Sequence, residues 1–342
     1  MDLLPSEEQR DLIAAASDFL TSRMPIEGIR TRDGMPSAVD LDAWREGAEM
    51  GLLTLGLPEE YGGSGRFLDD EVLLFATLAE HLATGPYLAS ALAARVAAQC
   101  GDADLTARIA DGSALVGLAE LRGDGSAGAE GAKGTFDLVD CVDVSHVLLV
   151  NELGAAIIGI EQFPEVETLE SSDPGVRLGS ASIAAADVLH WLPSTTDPIW
   201  LRATVLTAAA LSGLAAAVTR MATEHAKLRV QFGRPIGVHQ AIKHACADMA
   251  VASDAAMSQT LFAAVCVQSG RRDALFHALA ARTVASRAAI ANSGATIQVH
   301  GGMGYTYEHN AHLYLKRAHV LSHLFGEPTQ ILADLLEQGA PQ

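Results

Sequence analysis

The chain has 342 residues, 49% of them hydrophobic, which is enough for two or three packed modules and unlike a disordered chain. Its formal charge of −19 argues against nucleic acid or an anionic membrane as partner, so any anionic ligand must find its cations locally. Four scattered cysteines, Cys100, Cys141, Cys246 and Cys266, form no CxxC pair and read as buried thiols of a reducing compartment.

The first third reads as helices. Ser6 with Gln9 is a capping box, and Leu12, Ile13, Ala16, Phe19 and Leu20 form one apolar stripe behind it. The start of the chain is acidic, with no basic segment leading into an apolar run, so no secretion signal is expected and the location is read as cytoplasmic. "SAVDLDAWREGAEMGLL" and "DDEVLLFATLAEHLATG" repeat the helical signal, the second ending at Gly85-Pro86. Between them, the glycines and proline of "GLPEEYGGSG" (56–65) predict a loop. "YLASALAARVAAQC" and "ADLTARIADG" complete a helical module, expected to span 1–112.

From 113 to 193 the texture changes. Short runs such as "ALVGLAEL", "SHVLLVNEL" and "AAIIGI" have strand length and no helical period, which predicts a small β domain. The Gly/Ala stretch 122–134 is expected to be a mobile loop or a shortened hairpin. From 194 to 342 the chain is helical again, with long Ala-rich segments near 199–228, 238–268 and 272–298. Long helices with short joints indicate an antiparallel four-helix bundle. "WLRATVLTAAALSGLAAAVTRMA" (200–222) carries Arg202 and Arg220 and reads as a buried helix, so no membrane span is expected. The fold class is mainly α with a small β domain.

Two segments carry chemistry. In "RVQFGRPIGVHQAIKHACADMA" (229–250), Arg229 and Gln231 end one helix, Phe232 to Ile236 turn a corner, and Gln240 starts the next helix. Such a corner offers a guanidinium and backbone N–H groups to a phosphate; it also suits a plain cationic helix end. In "IQVHGGMGYTYEHNAHLYLKRA" (297–318), Gly301, Gly302 and Gly304 permit close backbone approach beside the amide of Gln298, or serve only as a helix cap. His319, His323 and Glu327 recur at one-turn spacing, but without an open-site motif no metal is expected. Glu59, Glu60 and Glu308 read as structural acids of turns.

Together the two segments, with "LGLPEEYGGSG" near the front, resemble the acyl-CoA dehydrogenase family over essentially the whole chain. The resemblance implies an N-terminal helical domain, a middle β domain, a C-terminal four-helix bundle and FAD as cofactor. Carried over by position, Arg229, Gln231, Phe232, Gln298, Gly301 and Gly302 would hold the diphosphate and adenosine of an FAD whose flavin rests mainly on a neighbouring subunit. The reaction it implies removes a proton α to a thioester while hydride passes from the β-carbon to the flavin, which requires a carboxylate base.

The chain departs from the family in two places. The Thr-Glu-Pro and Trp signature around the flavin is replaced by "LAELRGDGSAGAEGAKG" and "DCVDVSHVLLV". The family takes its base from one of two positions, and here these are Phe325 and Ala203. The resemblance therefore implies the non-catalytic subunit of an α2β2 acyl-CoA dehydrogenase, as in steroid side-chain oxidation, with the base on an unlike partner. The alternatives are a self-sufficient homotetramer using Glu327, and a scaffold without FAD.

Overall fold

The computed structural model describes residues 3–339 and Pro341; the extreme ends of the first and third expected domains, Met1, Asp2, Ala340 and Gln342, lie outside the described residues. Helices α1 (Glu7–Arg23), α2 (Glu27–Thr31), α3 (Leu41–Glu49), α4 (Leu68–Glu80), α5 (Tyr87–Gln99) and α6 (Ala103–Ala110) come first. Strands β1 (Val116–Gly128), β2 (Gly131–Val139), β3 (His146–Asn151), β4 (Gly154–Gly159), β5 (Glu167–Leu169), β6 (Leu178–Ala186) and β7 (His190–Pro193) follow. The rest is α7 (Ile199–Leu228), a ribbon of β8 (Val230–Gln231) and β9 (Arg234–Pro235), then α8 (Gln240–Gln268), α9 (Ala274–His300), α10 (Ala311–His323) and α11 (Pro328–Glu337). The predicted loop at 56–65 contains one short 3-10 turn, Glu59–Tyr61, and is otherwise irregular.

The chain divides into two compact units. One comprises Asp18–Glu71 and Ala83–Ala203. Its seven strands run in the order β5-β6-β2-β1-β3-β4-β7, all antiparallel except the β1–β3 pair. Residues 122–134 belong to a long β1–β2 hairpin, closed by the pairing of Gly128 with Gly131 and bulged between Arg122 and Gly125. Alternate residues face one core, where Phe136 meets Phe163 edge-on with ring centroids 5.8 Å apart. In the helical part, Trp44 is fully buried and packs against Tyr87 at 4.6 Å. Asp102 ties helix to sheet: its carboxylate accepts from the Leu105 N–H at 2.9 Å, capping α6, and meets His190 Nε2 of β7 at 2.7 Å. The Leu105 N–H first, and then His190, hold this carboxyl below the ordinary Asp range.

The second unit comprises Met1–Ser17, Val72–Leu82 and Thr204–Gln342. The capping box closes as read, with Gln9 N donating to Ser6 Oγ at 3.2 Å and Ser6 N donating to Gln9 Oε1 at 2.9 Å. α7 is the central helix, with 89% of its most apolar window buried. It passes α4 at Gly213, where an added Cβ would lie 2.1 Å from the Ala76 carbonyl oxygen. α8 is one residue shorter and almost as apolar, yet only 39% of its corresponding window is buried within this chain. Cys266 is buried, whereas Cys100, Cys141 and Cys246 are only partly so, and all four are free thiols.

Candidate functional site

α7 stops at Leu228 because the next residues leave the helix for a hairpin. Val230 pairs with Pro235 and Gln231 with Arg234, and Phe232 and Gly233 form the tip. Arg229 and Gln231 thus lie just beyond the helix end predicted to contain them. Both tip residues have positive φ, 53° for Phe232 and 79° for Gly233. Phe232 is 93% exposed, an unusual position for a large apolar ring. Arg229, Gln231 and Arg234 are exposed beside it, so the corner presents two guanidiniums, an amide and a phenyl ring outward.

The second segment closes α9. Gln298 is exposed on the last turn, and Gly301 takes φ 62° and ψ −140°, a backbone that excludes side chains. An added Cβ at Gly301 or Gly302 would meet nothing within 4 Å, so no packed neighbour crowds this turn, although the Gly301 N–H already donates to the Gln298 carbonyl oxygen. Gly304 differs, since its Cβ would press on the Ile297 carbonyl oxygen at 2.7 Å and fold the turn back onto α9. The structure brings the two segments together through histidines: His225, one turn before Arg229, stacks on His300 at 4.1 Å. Sequence reading missed this contact: His300 lies inside the quoted glycine segment, but His225 lies outside both segments and nothing local pairs the two.

This arrangement fits the diphosphate end of a dinucleotide. Arg229 could offer a fork, and the Gly301–Gly302 turn could offer backbone that no side chain shields. Behind the corner lies a cavity of about 390 Å³, lined by Ala226, Pro235, Val238 and Ile242 together with Lys227 and Lys243.

The expected base positions are both closed. Phe325 is 5% exposed and holds φ 58°, and Ala203 is fully buried. Arg282, itself 2% exposed, donates from Nη2 to the carbonyl oxygens of Leu321 and Leu324, fixing the end of α10 before this turn. Glu327 is exposed at the start of α11 and accepts no hydrogen bond from the helix; its carboxylate meets His323 Nδ1 at 2.7 Å. The residue before Ala203, Arg202, forms a buried pair with Glu71. Burial lifts the Glu71 carboxyl above its ordinary range although Arg202 opposes this. Glu71 also packs on Gly56, whose Cβ would fall 2.3 Å from its carboxyl carbon, so this acid is locked to its arginine.

One donor cluster has metal-like composition. Cys266, Asp273 and His277 place ligand atoms within 4.8 Å of one another. Arg271 already forks onto both Asp273 oxygens at 2.8 and 2.7 Å, and Gln259 approaches His277 Nδ1 at 3.4 Å. The cluster is accounted for as the hydrogen-bonded start of α9, with the Asp273 carboxyl pushed down to about 2 mainly by Arg271.

Comparison with known proteins decides the family. The profile "Acyl-CoA dehydrogenase, N-terminal domain" matches residues 6–113 and "Acyl-CoA dehydrogenase, C-terminal domain" matches 202–339. The acyl-CoA dehydrogenase IpdE2 of Mycobacterium tuberculosis is 30% identical over 336 residues, covering 97% of this chain and 98% of its own. The chain belongs to the acyl-CoA dehydrogenase family. Its members are FAD-binding flavoproteins acting on acyl-CoA thioesters. A solved structure described as the Tcur3481-Tcur3483 steroid ACAD G363A variant superposes with a TM-score of 0.85 at 25% identity, covering 97% of both chains. The ChsE4-ChsE5 complex of M. tuberculosis shares the fold, with a TM-score of 0.86 at 24% identity over 99% of this chain and 100% of that one. The fold is therefore that of the family: helical N-terminal part, central β sheet and helical C-terminal part.

Proposed function

We propose that this chain is one subunit of a heteromeric FAD-dependent acyl-CoA dehydrogenase, contributing diphosphate and adenosine contacts while an unlike subunit supplies the catalytic glutamate. The single observation that carries the proposal is the state of the two base positions. Phe325 and Ala203 are buried and apolar, and the nearest acid in sequence, Glu327, points to solvent in a pair with His323. Abstraction of a weakly acidic α-proton requires a carboxylate held within hydrogen-bond reach in a water-poor place, which Glu327 is not. FAD, when bound, supplies the hydride acceptor. This chain's share is positional: Arg229, Gln231 and Phe232 at the corner, and Gln298, Gly301 and Gly302 at the end of α9.

Two further observations support a partner. The α8 helix leaves an apolar flank uncovered within the chain, with Ala247, Ala250, Val251 and Ala255 exposed. The 25%-identical steroid ACAD is named as a pair of proteins, which favours a pair here and a bulky steroid side-chain thioester as substrate class. The division into domains at 1–112, 113–193 and 194–342 belongs to the same proposal, as does an α2β2 assembly. Purifying the chain alone and then co-expressed with a second acyl-CoA dehydrogenase subunit tests it. The chain alone should carry little flavin and no activity, and the co-expressed pair should be yellow and active. Stoichiometric FAD and acyl-CoA turnover by the single chain would refute the heteromeric reading.

A further inference from the structure

The two halves of the diphosphate grip are joined by a column of three imidazoles. His225 on α7 stacks on His300 at the end of α9, with centroids 4.1 Å apart and planes at 30°. His300 in turn lies 4.4 Å from His309, ahead of α10, with planes at 53°. His300 is buried, and its Nδ1 lies 2.8 Å from the Thr296 carbonyl oxygen. A carbonyl oxygen only accepts, so Nδ1 carries the hydrogen and donates; Nε2 of the neutral ring is left as a base. His309 shows the opposite assignment, because its Nδ1 accepts from the Ala311 N–H at 3.1 Å.

The column sits where positive charge has already accumulated. Burial first, then His300 and Arg229, hold the His225 ring below its ordinary range. The charged neighbours in sequence are Arg229, just past the end of α7, and the exposed Glu224–Lys227 pair on α7, whose atoms meet at 2.7 Å. α9 contributes His300 itself, hydrogen-bonded to the Thr296 carbonyl. The segment between α9 and α10 contributes His309, with Glu308 and the phenols of Tyr305 and Tyr307, and the corner contributes Arg234. The carboxylates that meet His190, His277 and His323 lie elsewhere in the chain. A proton added to the His225–His300 pair therefore faces Arg229, and a bound anion would favour it.

We propose that the His225–His300 pair is a proton-linked part of the diphosphate site, taking up one proton from solvent when a dinucleotide diphosphate seats on Arg229 and the Gly301–Gly302 turn. This rests on the FAD reading given above. The proton adds to an imidazole nitrogen with no other bond broken, and the two stacked rings share it as one titrating pair. The sign follows from linkage. The bound anion raises the proton affinity of the pair, so FAD affinity strengthens as pH falls through the histidine range and the gain is lost above it. One linked proton limits the effect to about tenfold in affinity per pH unit.

The test is calorimetric titration of FAD, and separately of ADP, into the flavin-stripped complex with its partner subunit near neutral pH. Buffers of different protonation enthalpy convert proton uptake into a change in apparent heat, independent of activity. Wild type should take up a substantial fraction of one proton with either ligand. His225→Phe keeps a stacking ring but no titrating nitrogen, and should bind FAD with markedly smaller uptake and a flatter pH dependence. FAD binding with buffer-independent heat in the wild type overturns this inference alone and leaves the FAD reading standing. Failure of both FAD and ADP to bind the wild-type complex overturns both. Full uptake retained in a folded His225→Phe complex, and again in His300→Gln, assigns the proton elsewhere and also overturns it.

Discussion

Arg229 and Glu327 are the two side chains on which the functional reading turns, and each makes a separate prediction. Arg229 is exposed at the mouth of the corner, so replacing it deletes charge rather than packing. A charge-assisted contact contributes about 1.5–3 kcal/mol, and Arg229→Ala should weaken FAD binding to the complex by roughly 10- to 150-fold, read by fluorescence titration. Retained affinity in the folded variant would move the grip to other residues. Glu327 is held by His323 at 2.7 Å on an exposed turn. Loss of a general base costs roughly 10²–10⁴-fold in rate, whereas an exposed helix-start acid contributes only about 0.3–1 kcal/mol of stability. Steady-state turnover of the Glu327→Gln complex should therefore stay within a few-fold of wild type. A drop of a hundredfold or more, in the range expected of a lost base, would make Glu327 catalytic.

At the scale of elements, the crossing of α7 over α4 sets two effects against each other. A glycine inside a helix costs about 0.5–1 kcal/mol relative to alanine, so Gly213→Ala would stabilise on propensity alone. The added Cβ would, however, fall 2.1 Å from the Ala76 carbonyl oxygen, and the atom in the way is backbone. Steric cost of about 1–3 kcal/mol should win, and urea denaturation should show Gly213→Ala to be destabilised. Gly294 in α9 is the control: its Cβ meets nothing within 4 Å, so Gly294→Ala should stabilise by about 0.5–1 kcal/mol. The same elements show what was legible in the sequence. The Ser6–Gln9 box, the long Ala-rich helices and the strand at "SHVLLV" announce themselves by capping chemistry, length and period. The hairpin through 122–134 does not, because its Gly/Ala composition lacks an apolar alternation, and its pairing comes from β6 as well as from its own turn. The site was half legible. The arginine corner and the glycine turn stand out locally, whereas the histidine column and the Glu71–Arg202 pair join residues that only the folded chain makes neighbours.

For the whole molecule, α8 is the element that its own chain leaves incomplete. Val251 is 70% exposed on a helix as apolar as a membrane span, in a chain whose net charge of −19 shows no shortage of acids elsewhere. On the heteromeric proposal, an apolar flank of that kind is where the partner subunit would rest. Val251→Glu should leave the single chain folded, since the side chain packs little within it, and should reduce co-purification of the partner subunit by size-exclusion analysis. An unchanged complex would place the interface on another face.

The unit built from Met1–Ser17, Val72–Leu82 and Thr204–Gln342 also has a consequence for synthesis. Its α4 segment cannot meet α7 until Gly213 has left the ribosome, about 137 residues after Ala76. At about 5–20 residues per second, the apolar face of α4 waits on the order of ten seconds for its cover. The other unit is complete only at residue 203, ten residues before Gly213, so the two units close at nearly the same time. The nascent chain therefore passes through a stage in which α4 is a handle for chaperones, and slow codons between 83 and 203 would lengthen its exposure.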